Sequence, residues 1–214
     1  MARNAVLLVL IILLSTCKKE DLELYITGNV SDPNQMMTVA GASVVLSGKE
    51  LSGGTFNNNF NTIASTATNG NGDFEFQFER RTISQYRIRV TKEGYFEKNI
   101  LITGDAVQPD VTYNVNIESI PKAYYKLRLE NSNPFDDTDR ITYRNTNAEL
   151  ACNCCNDQNV TILGMAVDTT YTCIHEGASW LKYFYEVEKN NNTNSFIDSV
   201  YLIPFDTTAN HITY

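Results

Sequence analysis

The sequence predicts an all-β protein, two β-sandwich domains in tandem after a cleaved signal peptide. Three observations carry that prediction. Among 214 residues there are 12 Tyr and 10 Phe, and Asn and Thr are plentiful, a mixture of strand formers and turn formers. Apolar and polar residues alternate at period two in several short runs. Turn-forming clusters separate those runs, and no stretch shows a convincing helical period.

The chain opens on Met1-Ala2-Arg3-Asn4, followed by an apolar run from Ala5 to Leu14 and small residues before Cys17. One positive charge, a short apolar core and a small-residue cleavage point make a secretory leader. The run falls short of the about 20 apolar residues that a bilayer span needs. The stretch Leu14-Ser15-Thr16-Cys17 resembles a lipobox, with Thr16 standing where that motif usually has Gly or Ala. The resemblance implies a lipoprotein signal peptide over 1–16, an acylated Cys17 and a tether over 17–23. The other reading is an ordinary leader with an unmodified Cys17. Lys19-Glu20-Asp21 resembles a short surface-export signal of some Gram-negative lipoproteins. The expected location is the outer membrane, lipid-anchored, with the periplasmic and surface faces both open. Net charge is −8, which repels phosphate backbones and excludes nucleic acid as a partner.

The first domain is expected over 24–118. Leu24–Val30 and Ala42–Leu46 read as strands. Phe74, Phe76 and Phe78 alternate with Glu75 and Gln77. Tyr86, Ile88 and Val90 alternate with Arg87 and Arg89, and Val111, Tyr113, Val115 and Ile117 with Thr112, Asn114 and Asn116. The segment Lys49–Asn61 reads as a flexible, Asn-rich loop. Thr68-Asn69-Gly70-Asn71-Gly72-Asp73 reads as a tight turn, since a calcium loop needs more carboxylates. Gly28-x-Val30-x-Asp32, Gly41-Ala42-x-Val44-x-Leu46, then Thr68, Gly72, Phe74 and Phe76, and Tyr86-x-Ile88-x-Val90 before Gly94-Tyr95 carry a likeness. The pattern resembles the carboxypeptidase regulatory-like domain. That resemblance implies a seven-stranded, transthyretin-like sandwich that serves as an accessory or spacer and has no catalytic residues of its own.

Ile120-Pro121 marks the boundary to a second sandwich over 119–214, for which no family resemblance is found. Strands are expected at Tyr124–Glu130, Arg140–Tyr143, Val160–Val167, Trp180–Val187, Ser195–Ile203 and His211–Tyr214. Asn190-Asn191-Asn192-Thr193-Asn194 reads as a hairpin connection. Cys152, Cys154, Cys155 and Cys173 all fall in this half. In an oxidising envelope they are disulfide candidates. A bond between neighbours Cys154 and Cys155 is strained, so Cys173 is expected to bond into the Cys152–Cys155 cluster. The competing chemistry is zinc, held by Cys152, Cys154, Cys173 and His175; the compartment argues against it, and no metal or cofactor is expected.

Catalysis is hard to assemble. His175 and His211 are the only histidines, and no nucleophile elbow, phosphate loop or zinc-protease helix motif is present. Asp136, Asp137 and Asp139 follow Asn133-Pro134 and read as a solvated turn. Trp180, Lys182, Phe184 and Glu186 share one strand face, while Leu181, Tyr183, Tyr185 and Val187 share the other. The second face reads as core. On the first, Trp180 is either cover or a ligand contact for a glycan or peptide. Asp168-Thr169-Thr170, Asp198-Ser199-Val200 and Asp206-Thr207-Thr208 resemble an O-glycosylation signal, which makes Thr169, Ser199 and Thr207 acceptor candidates if their turns are exposed. The expected role is a non-catalytic envelope lipoprotein, a structural or binding module held by membrane lipid, with a glycan or envelope protein as partner. The alternative is a glycan- or peptide-binding accessory protein with its site near Trp180.

Overall fold

The computed structural model describes residues 22–52, 54–147 and 158–214. The leader, Cys17, most of the tether, Cys152, Cys154 and Cys155 lie outside these. Sixteen strands and one 3-10 turn at Gly104–Ala106 make up the regular structure of the described residues. The protein is all-β, as its alternating runs require.

In the first half the strands are β1 (Glu23–Asp32), β2 (Met37–Thr38), β3 (Ser43–Ser52), β4 (Thr55–Phe56), β5 (Asn61–Ala67), β6 (Asp73–Glu79), β7 (Ile83–Thr91), β8 (Lys98–Thr103) and β9 (Thr112–Glu118). β1 pairs antiparallel with β6 and parallel with β9. The facing sheet runs β5-β3-β7-β8, all antiparallel. Between the sheets lie Leu24, Ile26, Val30, Leu46, Phe76, Tyr86, Ile88 and Ile117. Burying each large aliphatic side chain contributes about 1.5–3 kcal/mol relative to leaving it exposed.

In the second half the strands are β10 (Lys122–Glu130), β11 (Arg140–Asn145), β12 (Val160–Leu163), β13 (Asp168–Glu176), β14 (Ser179–Lys189), β15 (Asn192–Leu202) and β16 (Thr207–Thr213). β10 pairs antiparallel with β13 and parallel with β16. The other sheet runs β12-β11-β14-β15, again antiparallel. Its separate core holds Tyr125, Leu127, Leu129, Ile141, Leu181, Tyr183 and Leu202.

The two halves share one topology. With the two-residue strands β2 and β4 set aside, each half has a first strand flanked by its fourth and seventh. Each has a second strand flanked by its third and fifth, and a sixth strand on the edge beside the fifth. The first and seventh are parallel in both. Parallel pairing of the ends needs the whole chain of a half between them, so each sandwich closes only when its last strand arrives.

Gly28 explains part of the first-domain motif. A Cβ there would sit 2.2 Å from the Val115 carbonyl oxygen and 2.6 Å from the Phe74 ring, so only glycine lets β9 lie against β1 at that point. Thr68 explains another part. Its hydroxyl donates to the Val39 carbonyl at 2.6 Å and accepts from the Ala42 N–H at 2.8 Å, closing a buried corner.

Several sequence expectations are corrected. Lys49–Asn61 is not simply a loop, because β3 continues to Ser52 and turns back into β4. Strands β5, β8 and β13 add to the expected set. The turn between β14 and β15 is only Asn190-Asn191, both at positive φ, the backbone that a two-residue hairpin demands; Asn192–Asn194 already belong to β15. Asp139 is not solvated: it is fully buried.

The halves meet through named contacts. The Phe96 N–H donates to the Ile120 carbonyl at 3.0 Å and the Lys122 N–H to the Gly94 carbonyl at 2.7 Å. Asn34 Nδ2 donates to the Gly177 carbonyl at 3.0 Å. The rings of Tyr95 and Phe205 pack with centroids 5.1 Å apart. Burial, with the Asp32 carboxylate beside it, pushes the Tyr95 hydroxyl pKa up and keeps it neutral.

Candidate functional site

Trp180 sits near the start of β14, and the alternation of that strand decides which way it points. Leu181, Tyr183 and Val187 are buried, whereas Trp180 is 56% exposed. Register then fixes its neighbours. Trp180 lies opposite Tyr201, Lys182 opposite Ser199, and Phe184 opposite Ile197. Directly opposed residues in an antiparallel pair share a face, so these six make one outer surface. The Trp180 and Tyr201 rings meet edge to face at 5.5 Å. Ile197 is 82% exposed. Arg144 of β11 lies over the Phe184 ring at 5.2 Å. The Asn147 side chain extends the sheet, donating to the Trp180 carbonyl at 2.7 Å and accepting from the Lys182 N–H at 2.8 Å. That clamp fixes the backbone under the tryptophan.

The result is an aromatic and aliphatic ridge with two cations beside it. Flat rings held upright on a sheet can stack on the C–H face of a sugar or on an apolar peptide side chain, and Lys182 and Arg144 can donate to its oxygens.

Beneath this surface the inner face is polar in one place. Asn210 Nδ2 donates to the Tyr125 hydroxyl at 3.0 Å and the Tyr183 hydroxyl at 2.9 Å. Tyr183 in turn reaches Asp198 at 3.3 Å. Burial pushes the Tyr125 hydroxyl up and that of Tyr183 up to about 12, so both stay neutral at ordinary pH and act as hydrogen-bonding struts.

No family model matches the chain. No curated protein matches it either. Solved structures with a likeness include the Bacillus anthracis TIE protein, 10% identical at a TM-score of 0.39 over 90% of this chain and 34% of that one. A catechol 1,2-dioxygenase variant from Acinetobacter radioresistens is 14% identical at a TM-score of 0.36, over 48% of this chain and 53% of that one. The shaft pilin SpaA from Lactobacillus rhamnosus GG is 9% identical at a TM-score of 0.35, over 90% of this chain and 96% of that one. The chain thus spans about a third of the length of the first and about half of the second.

The acceptor candidates are not in turns. Thr169 is half-buried within β13, Ser199 is exposed within β15, and Thr207 is exposed at the start of β16. Ser199 lies on the same outer face as Trp180. The aspartates before them are engaged: Asp198 and Asp206 each accept from the next residue's N–H at 2.7 Å, and Asp168 takes a two-point bond from Arg128 at 2.8 and 2.9 Å.

Cys173 and His175 share the inner face of β13, both buried. Cys173 is not a free thiol, and Cys152, Cys154 and Cys155 fall outside the described residues. Among the described residues no group of three or more His, Cys, Asp or Glu side chains could hold a metal. His211 lies far along the chain at β16, its Nε2 2.7 Å from Glu130. Of Asp136, Asp137 and Asp139, Asp136 caps the turn by accepting from the Thr138 N–H at 2.8 Å. The ridge partners Tyr201 and Ile197 were missed in sequence. Their signal was the β14–β15 register, which the hairpin's two-residue turn would have supplied.

Proposed function

We propose that the protein is a non-catalytic envelope lipoprotein, held to the outer membrane of a Gram-negative cell by an acylated Cys17, with the two sandwiches serving as a spacer that carries a binding surface. The observation that supports it best is the pairing of a lipobox-like Leu14-Ser15-Thr16-Cys17 with two sandwiches of one topology joined by backbone hydrogen bonds across Gly94–Lys122. A repeated β module behind a lipid tether is built to hold something away from a membrane. Several acyl chains anchor strongly, at about 0.8 kcal/mol per buried CH₂. In oxidising surroundings Cys173 pairs with one of Cys152, Cys154 and Cys155, which adds stability to a small core. Thr169, Ser199 and Thr207 are the acceptors for envelope O-glycosylation, with Ser199 and Thr207 the more accessible.

Replacing Cys17 by Ser tests the anchor. The expected result is loss of radiolabelled fatty acid and a shift from the membrane fraction to the soluble fraction. Unchanged membrane association would count against it.

A second reading is favoured by the exposure of Trp180 beside Tyr201: binding of a glycan or peptide on the outer face of β14 and β15. Binding to a glycan array that disappears in Trp180→Ala supports this reading, and binding unaffected by that change removes it.

A further inference from the structure

Strand β15 is a free edge. Among the described residues it pairs only with β14. It runs eleven residues, in unbroken register from the Lys189–Asn192 pair to the Ser179–Leu202 pair. β12, at the other edge of that sheet, has four. Folded proteins blunt their edge strands with Lys, Pro, a bulge or brevity. β15 has none of these, and its one charged residue is Asp198. Ile197 is 82% and Phe196 43% exposed.

Hydrogen bonds within the sheet settle which backbone groups of β15 face outward. The Lys182 N–H donates to Asn147 Oδ1 at 2.8 Å, and the Lys182 carbonyl accepts from the Thr146 N–H at 2.8 Å. Both groups therefore turn away from β15. Opposed residues of an antiparallel pair alternate between bonded and non-bonded, so Ser199, opposite Lys182, turns its own groups to the free side. Thr193, Ser195, Ile197 and Tyr201 share that parity. Two contacts agree with it: the Ser199 N–H donates to Asp198 Oδ1 at 2.7 Å, and the Thr208 hydroxyl to the Tyr201 carbonyl at 3.5 Å. Leu202, of the opposite parity, accepts from the Ala178 N–H at 2.8 Å on the β14 side. Thr193, Ser195 and Ile197 thus keep both outward groups available.

We propose that β15 pairs antiparallel with β15 of a second copy of this chain, about a two-fold axis at Ser195. Thr193 then faces Ile197 of the second copy, and Ser195 faces its own counterpart. Each such pair exchanges two N–H to carbonyl bonds, which joins two four-stranded sheets into one. A two-fold contact needs a self-complementary edge. These three evenly spaced residues supply one, because reversing them about Ser195 lays bonding groups on bonding groups. Charge selects the same place. Each copy carries −8 overall, so copies repel, and β15 offers eleven residues with a single charge. The axis sets Asp198 opposite Asn192 of the second copy, so no two carboxylates meet. Phe196 stacks on Tyr185 with centroids 4.7 Å apart. The two Phe196 residues fall at diagonal positions about 7–8 Å apart, within reach of aromatic rings, and carry that stack across the axis. The contact uses the rim of the sheet, whereas Trp180 stands on its outer face.

The test is sedimentation equilibrium with amide hydrogen exchange on the mature chain carrying Cys17→Ser, so that neither lipid nor a thiol at that position contributes. The expected result is a reversible dimer in the micromolar range, with the Thr193, Ser195 and Ile197 amides protected in the dimer. Raising salt should tighten it, since screening weakens the repulsion between acidic copies. Ser195→Pro removes only an outward N–H and leaves the β14 ladder whole. Ile197→Lys places a charge on the axis-side edge. Each should weaken the dimer at least about tenfold and leave the circular dichroism spectrum unchanged. Should Ser195→Pro fail to fold, Ile197→Lys carries the test alone. A parent chain that stays monomeric, whether or not its edge takes up an extended peptide, overturns the proposal. So does a dimer that persists in Ile197→Lys, or one in which the three amides exchange freely.

Discussion

Phe205 lies against the backbone of Gly94: a Cβ added at Gly94 would come within 2.7 Å of the Phe205 ring. Both residues have positive φ, 80° for Gly94 and 65° for Phe205. A non-glycine residue in that region is strained by about 1–3 kcal/mol, so the second sandwich stores strain to place one ring on the first. The Phe205 N–H donates to the Lys122 carbonyl at 2.7 Å, and the Tyr95 ring packs against the Phe205 ring.

Phe205→Ala should therefore loosen the junction more than it damages either core. The ring is 47% exposed, so the expected loss is about 1–2 kcal/mol. Calorimetry should show one melting transition dividing into two. Gly94→Ala should do the same through the clash and the φ requirement. A single unchanged transition in both would mean that the junction contributes no coupling.

Trp180 and Leu181 are chain neighbours with opposite fates. Leu181→Ala, at 0% exposure, should cost about 2–5 kcal/mol. Trp180→Ala should cost under about 1 kcal/mol. Urea midpoints of the two variants check the pair, and a severe loss in Trp180→Ala would place that ring in the core.

These two residues also show how much could be read from the chain. Alternation in β14 assigned its faces correctly, because one side carries contiguous apolar groups and the other is mixed. Strand β13 escaped notice for the opposite reason. Its inward residues Thr169, Tyr171, Cys173 and His175 are not an aliphatic series, and its strand character comes from pairing with β10. β8 escaped because Ile100, Leu101 and Ile102 form a contiguous run, with Leu101 left on the surface. Asp139 sits in a turn-forming sequence, and it is buried by partners distant in the chain or turned inward by the loop, the Asn131 amide at 2.9 Å and the Phe135 N–H at 2.8 Å among them. The shared topology of the halves is a property of strand pairing, and no common spacing of residues announces it.

Asp168 offers a pH prediction with a fixed sign. Its two-point bond to Arg128, with the Arg128 and His211 charges, lowers its carboxyl pKa against a smaller opposing effect of burial. The folded state then binds fewer protons than the unfolded one. The contribution is present above the unfolded value of about 3.9 and is lost as pH falls through the lower folded value. NMR titration should find Asp168 below the usual aspartate range in the wild type and back within it in Arg128→Met. The effect on stability should be small, because the pair is exposed to solvent. An unperturbed wild-type titration would show that the bond does not persist in solution.

Cys173 should resist alkylation in the native, unreduced protein and react after reduction and unfolding. Peptide mapping should then find it joined to the peptide carrying Cys152, Cys154 and Cys155 before reduction. Rapid labelling of Cys173 without reductant would contradict the proposed pairing.

The anchor is tested most directly by mass spectrometry of the N-terminal peptide of protein extracted from membranes. The account predicts a chain that starts at Cys17 and carries added acyl mass on that residue. A chain that retains Met1, or one that starts elsewhere with Cys17 unmodified, would contradict it.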